Sequence, residues 1–229
     1  MHIINRRILR GVAAGLLLAL PLVLIAHEYD PENAEEINEV CAGCHDEYGQ
    51  GGKQGKYPRI AGLPQGYLKR QLLLFQDRER PNMPMVEHVE KRELPLSDIE
   101  DISIWLSRIQ LKTKLPPVDE TAPGFDAYAR LQEAKKLMQV PRSEGDTKHG
   151  EKLYHRECRS CHGAKGMGNA RKEVPMLAGQ YTQYLWRQVK RFLKGERIHD
   201  PDEPDDELLK DFTHDELRDI FAWLSVQDD

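Results

Sequence analysis

The fold of this 229-residue chain is decided by two short stretches, Cys41-Ala42-Gly43-Cys44-His45 and Cys158-Arg159-Ser160-Cys161-His162. In a C-x-x-C-H sequence both thiols can add to the vinyl groups of one haem, and the adjacent imidazole can ligate its iron. Cysteines three residues apart lie about one helical turn from each other, which suits attachment along one edge of a macrocycle. The two stretches therefore predict two covalently bound haem c groups.

These motifs use every cysteine of the chain, so no cysteine is left over for a disulfide. A zinc site made from the same residues would have to join thiolates 117 residues apart, which makes it the weaker interpretation. The predicted attachment residues are Cys41, Cys44, Cys158 and Cys161. The predicted imidazole ligands of the two irons are His45 and His162.

The similarity around the motifs extends through the chain at an offset of 117 residues. Matching pairs include Pro58 with Pro175, Tyr67 with Tyr184, Gln71 with Gln188, Arg80 with Arg197 and, after a shift of one residue, Trp105 with Trp223. The apolar spacing is helical, and S/T-x-x-E sequences at Ser97 and Thr213 predict the start of the last helix in each copy. The sequence thus predicts an all-α protein with two tandem domains.

We expect the first copy at residues 27–110 and the second copy at residues 146–229. Residues 111–145 belong to neither copy and contain proline breakers, so they are interpreted as a linker, with a helical stretch over residues 125–139.

The N-terminal segment, residues 1–26, has the form of an export signal. Three arginines precede an apolar run over residues 11–26, and the segment holds no acidic residue. As a helix the run would span about 24 Å, short of the roughly 30 Å hydrocarbon core, so cleavage is favoured over a retained membrane anchor. Either outcome predicts a periplasmic protein, with membrane contact only if the segment stays uncleaved. The remaining chain has a formal net charge of −8, which argues against a nucleic-acid partner.

The motifs and the repeat resemble the class I cytochromes c, and among them the duplicated dihaem kind typified by cytochrome c4. This resemblance implies two class I cytochrome c domains and an electron carrier without catalytic residues. Its implied partners are redox proteins of the respiratory chain, such as a terminal oxidase or reductase. It also implies that the carbonyls of Pro58 and Pro175, each 13 residues beyond its histidine, accept a hydrogen bond from the ligand imidazole.

In the family that the chain resembles, a methionine from the loop before the last helix is the second axial ligand. The first copy offers Met83 and Met85, and Met83 is favoured because a proline follows it. The loop at residues 195–211 of the second copy has no methionine, so His199, which aligns next to Met83, is the predicted ligand there. Water, or one of three other side chains, remains an alternative: Lys194, Lys210 or Met176.

The two predicted haems have different second axial ligands, so we expect different reduction potentials, because a thioether ligand raises the potential of a haem relative to a second imidazole. Electrons are therefore expected to enter at the second copy and leave from the first. The acidic run at residues 200–211 is a solvated loop or a docking site for a basic partner. Other functions that we considered are a dihaem peroxidase, a thiosulfate-oxidising dehydrogenase and a sensor that binds small ligands at an open second haem.

Overall fold

The computed structural model describes residues 27–199 and 208–227. Within these ranges the regular structure is helical, and β-pairing is limited to isolated bridges. The all-α expectation is therefore confirmed. The predicted export segment, residues 1–26, lies outside the described residues, as does most of the acidic run.

The first copy contains helices α1 (Pro31–His45), α2 (Gln65–Gln76), α3 (Met83–Val86) and α4 (Leu96–Arg108). Asp30 caps α1, because its carboxylate accepts hydrogen bonds from two backbone amides of the first turn. Helix α4 packs against α1 and α2, and it buries Ile99, Ile102 and Leu106 at a helical spacing. This packing places the C-terminal end of α1, where the first motif lies, beside the core.

After α5 (Ala127–Lys135) in the linker, the second copy repeats this arrangement with α6 (Thr147–Glu157), α7 (Arg159–His162), α8 (Thr182–Leu193) and α9 (His214–Leu224). Here the motif begins at Cys158, which separates α6 from α7, whereas the first motif lies inside one continuous helix. Helix α9 packs against α6, and the Trp223 ring lies 4.5 Å from the Tyr154 ring. The two copies therefore share one architecture, with a small break at the second motif.

The predicted helix starts differ between the copies. The capping box at Thr213 is present, with Glu216 as its reciprocal partner. The one predicted at Ser97 is wrong, because α4 already begins at Leu96. The Pro95 carbonyl accepts the first helical hydrogen bond at 3.0 Å, and the Ser97 hydroxyl donates to the neighbouring Asp98 instead.

The residue after each motif histidine has the same unusual backbone conformation. Asp46 has φ 66° and ψ 163°, and its counterpart Gly163 has φ 79° and ψ 162°. This region is accessible to glycine at little cost, whereas a residue with a side chain is strained there. The first copy therefore holds an aspartate where the backbone favours glycine.

The linker contains helix α5 (Ala127–Lys135), which lies within the stretch predicted to be helical. The segment packs on the first copy: the Gln50 side chain donates to the Lys135 carbonyl at 2.6 Å, and Met138 is buried beside Ala61 and Leu111. Further along, the Ser143 amide donates to the Ser225 hydroxyl at the end of α9. The linker thus contacts both copies.

The two copies also contact each other directly. The Gln180 amide group makes two hydrogen bonds to the Arg59 backbone, accepting from its amide at 3.0 Å and donating to its carbonyl at 2.9 Å. Met176 packs against the core of the first copy. Gly55 lies so close to Tyr181 that an added Cβ would be 2.5 Å from the tyrosine Cβ, so only glycine fits there. These contacts hold the two motif-bearing surfaces face to face.

Candidate haem-binding cavity

Both C-x-x-C-H motifs line one continuous cavity of about 1800 Å³ between the copies. A cleft for a single small ligand typically has about 300–1,000 Å³, so this cavity has the size expected for more than one large group. Helices α2 and α8 form facing walls, and the loop around α3 closes part of the first half. The motif residues on the cavity are Cys41, Cys44, His45, Cys158, Cys161 and His162.

The two motif imidazoles are held in the same way. His45 Nδ1 lies 2.9 Å from the Pro58 carbonyl, and His162 Nδ1 lies 2.9 Å from the Pro175 carbonyl. A carbonyl only accepts, so Nδ1 carries the proton and Nε2 keeps its lone pair for a metal. Burial lowers the pKa of His45, which favours the neutral ring. Each proline thereby fixes both the orientation and the tautomer of its histidine, which is the pairing that the resemblance implies.

No two of the four cysteines form a disulfide. Burial raises the pKa of Cys41 and of Cys158 to about 11, so both are protonated at neutral pH. Cys161 is exposed at the outer edge of the cavity. Each pair of thiols thus lies beside an imidazole in the tautomer that can bind iron, and of the two imidazoles His45 is buried and His162 is partly exposed.

Arg80 of the first copy and Arg197 of the second copy each form hydrogen bonds to both copies, and we call this set of hydrogen bonds the crossed arginine network. Arg80, only 6% exposed, donates to Gln71 of its own copy at 2.7 Å and to Tyr184 and Gln188 of the other copy at 3.1 Å each. Arg197 donates to Gln188 at 2.8 Å and, across the interface, to the Tyr67 hydroxyl at 2.7 Å and to Gln71 at 3.2 Å. The network therefore has approximate two-fold symmetry.

This network lacks an anion within the described part of the chain. No carboxylate of residues 27–199 and 208–227 forms an ion pair with either guanidinium, and the buried Arg80 Nε has no hydrogen-bond partner there. Burial lowers the pKa of Arg80, and the nearby Arg197 adds to that effect. Buried cations are stable only when paired, and both arginines line the cavity. The two carboxylates that every haem carries would supply the missing charge, so the residues present fit haem.

The structure places Met85, and not the favoured Met83, at the cavity. Met85 is partly buried and lines the cavity, whereas Met83 is 59% exposed and lies outside it. The physical reason is the rotation of the short helix α3. Met85 packs against the core cluster of Phe75, Val89, Leu94 and Ile99, and Met83, two residues earlier, points to nearly the opposite side of the helix. Only one of the two methionines can therefore face the cavity.

In the second copy, His199 lies on the cavity next to the motif histidine. The centroid of its ring is 6.2 Å from that of the His162 ring, with an interplanar angle of 32°. The His199 ring also packs edge-to-face with the Phe192 ring, with 5.2 Å between the two centroids. A metal–imidazole bond is about 2 Å long, so two such bonds in line separate the ring centroids by about 6 Å. The observed separation therefore leaves room for one metal ion between the two imidazoles.

The other ligands considered for the second iron are placed less favourably. Lys194 is exposed and forms an ion pair with Glu196 at 3.7 Å, and Lys210 is exposed as well. Met176, although it lines the cavity, packs into the core of the first copy.

Sequence reasoning missed the crossed arginine network. The signal was present, because Tyr67, Gln71 and Arg80 all recur at the same offset in the second copy. The sequence could not predict the contact between the copies, because Arg80 binds Tyr184, 104 residues away, and Arg197 binds Tyr67, 130 residues away.

Comparisons with known proteins agree with this description. The family model described as cytochrome c matches residues 147–227. A thiosulfate dehydrogenase electron acceptor of Stutzerimonas stutzeri is 29% identical over 95% of this chain and 93% of its own. A cytochrome c4 of the same species is 29% identical over 83% of this chain and 86% of its own. The crystal structure of reduced recombinant cytochrome c4 from Pseudomonas stutzeri matches in fold, with a TM-score of 0.61, 21% identity, and coverage of 86% of this chain and 98% of that one.

The helices, the motif geometry and these likenesses make the chain similar to the class I cytochromes c, and they support a haem electron carrier with covalently bound haem c. Its duplicated organisation makes the chain cytochrome c4-like, as the sequence predicted. Among residues 27–199 and 208–227, no helix is both long and apolar enough to cross a membrane.

Proposed function

We propose that this protein binds two haem c groups and passes single electrons between redox proteins of the periplasm. The observation that carries the proposal is the shared cavity, in which both motif imidazoles are held in the same tautomer by a proline carbonyl. A bound haem supplies a one-electron iron couple. The role of the chain is to hold two such couples in one body and to shield them from water.

The proposed domains are residues 27–110 and 146–229, with residues 111–145 as a linker. In the first domain Cys41 and Cys44 would attach the haem, with His45 and Met85 as axial ligands. In the second domain Cys158 and Cys161 would attach the haem. His162 and His199 would hold its iron.

Unlike axial ligands would separate the two potentials. The thioether of Met85 favours reduced iron, whereas a second imidazole favours oxidised iron, so the first haem would have the higher potential. Electrons would then enter at the second haem and leave from the first. A potentiometric titration with two resolved midpoints supports this order, and two equal midpoints contradict it.

The crossed network would position both haems at the domain interface. Arg80 and Arg197 each contact both copies, so a haem carboxylate bound by either guanidinium is tied to both domains. The same contacts oppose rotation of one domain against the other. We therefore expect a fixed relation between the two redox centres.

Haem counting tests the proposal directly. The mass of the purified holoprotein should exceed that of the polypeptide by two haem groups, and Cys158→Ala/Cys161→Ala should remove one of them. A matched variant, Cys41→Ala/Cys44→Ala, should remove the other. A holoprotein with a single haem that both variants leave in place would contradict it.

The electron donor can be tested with a named candidate. The relative that spans 95% of this chain is named for accepting electrons from thiosulfate dehydrogenase, so that enzyme is the first donor to test. Reduction of the oxidised protein by the enzyme and thiosulfate, with none by thiosulfate alone, supports a carrier. Reduction by thiosulfate alone favours a substrate-oxidising enzyme instead.

A further inference from the structure

The surfaces around the two motifs have opposite charge. Residues 30–52, which include the first motif, contain seven acidic residues and no lysine or arginine. The equivalent residues of the second copy, 147–169, contain five lysines and arginines and two glutamates. The fold of the two copies is the same, so the difference in charge is not a requirement of packing.

The reversal occurs at equivalent positions of equivalent helices. Lys152 and Arg156 on α6 correspond to Glu35 and Glu39 on α1, and all four side chains are exposed. Residues four apart on a helix share a face, so each pair forms a stripe that leads to its motif. The first stripe is acidic and the second is basic.

Further basic side chains surround the second motif. Arg159 stands between its two cysteines and is exposed, Lys165 is exposed just beyond it, and Lys172 is exposed at the rim of the cavity. Arg156 pairs with the adjacent Glu157, whereas these other three form no ion pair with any residue in the described ranges. Their charge is therefore available to a partner.

An apolar contact lies within the same surface. Met167 is 45% exposed, and it stays close to the motif because the next residue, Gly168, donates its amide hydrogen to the His162 carbonyl at 2.8 Å. Interfaces between proteins commonly combine an apolar centre with a charged rim. The exposed Cys161 places the predicted haem attachment at this surface as well.

We propose that this basic face, defined by Lys152, Arg156, Arg159, Lys165 and Lys172, docks a redox protein that is acidic around its own redox centre. The inference rests on the proposed function and names the partner chemistry of the second haem. The chain as a whole has a formal net charge of −5, so an acidic partner is repelled except at a local basic surface. Electrons from that partner would then enter at the second haem.

Stopped-flow reduction of the oxidised holoprotein tests the proposal, with the hydroquinone of an acidic flavodoxin as the probe. The test variant is Lys152→Glu/Arg156→Glu, which gives the second copy the charges of the first. The control is Lys112→Glu/Lys114→Glu in the linker, which has the same effect on net charge at exposed positions outside the face. Unchanged haem spectra in both variants show that the haem environments are intact.

At an ionic strength of about 20 mM, the test variant should react at least about tenfold more slowly than wild type, and the control less than about twofold more slowly. The difference should close at about 0.5 M salt, where the Debye length is only a few ångströms. Equal slowing in the two variants, or no slowing in the test variant, would overturn the proposal.

The sign of the salt dependence provides a second criterion. Six acidic residues between 200 and 207 lie outside the described residues. If these acidic residues dominated the electrostatic potential around the second haem, they would repel the acidic partner. Wild type would then react faster at high salt than at low salt, which would overturn the proposal. If no electron reached either haem in any variant, the proposed carrier function would fail instead, which is a different outcome.

Discussion

Replacing Arg80 by leucine should destabilise the holoprotein by about 3 kcal/mol. A hydrogen bond from a charged donor contributes about 1.5–3 kcal/mol, and breaking a buried ion pair costs about 3–5 kcal/mol. Arg80 makes three such hydrogen bonds, but two of the acceptors, Gln71 and Gln188, keep Arg197 as a second donor. Relief of the burial cost and of the repulsion between the two arginines offsets part of the loss.

Guanidinium chloride unfolding of the purified holoprotein measures this loss. Arg92→Leu is the matched control, because its side chain is 86% exposed and, among the described residues, forms an ion pair with the adjacent Glu93 alone, so less than about 0.5 kcal/mol should be lost. Arg80→Lys should cause an intermediate loss in the free energy of unfolding, because lysine keeps the positive charge but lacks the planar guanidinium group that donates to several acceptors. A loss below about 1 kcal/mol for Arg80→Leu would refute the reasoning that this guanidinium is a counter-ion for a haem carboxylate.

The remaining predictions concern single sites. Met85→Ala should abolish the long-wavelength absorption band of thioether-ligated ferric haem and lower the potential of the first haem, whereas Met83→Ala should retain both. Asp46→Gly should stabilise the protein by about 1 kcal/mol in thermal unfolding, because glycine relieves the backbone strain at a small entropic cost; a destabilisation would contradict this. The pKa of His27 is raised mainly by its hydrogen bond to Asp101. Its contribution to stability is therefore complete below about pH 6.5 and is lost as the pH rises through the raised value, so His27→Gln should destabilise at pH 5 more than at pH 9. An equal effect at both pH values would count against the ion pair.

Much of the fold followed from the sequence because its signals are local or repeated. The motif spacing predicted haem attachment, and the 117-residue offset indicated a duplicated helical domain. The positions of Pro58 and Pro175 also anticipated the hydrogen bonds that hold the two imidazoles. In each case residues close in sequence, or repeated at a constant offset, carry the information.

The remaining features depend on how elements rotate and dock. The sequence offers Met83 and Met85 as equal candidates, and only the rotation of α3, which packs Met85 against the core beside Val89 and Leu94, distinguishes them. The start of α4 depended on Pro95 rather than on the apparent capping residue Ser97. The crossed arginine network needs contact between the two domains, which no local pattern encodes.

We propose that the two haems share their attachment chemistry but differ in their second axial ligand. Low-temperature electron paramagnetic resonance of the fully oxidised protein and of His199→Ala tests it most directly. The wild type should give two low-spin signals, of which only that of the second haem changes to high spin in the variant. An unchanged second-haem signal in His199→Ala would contradict it.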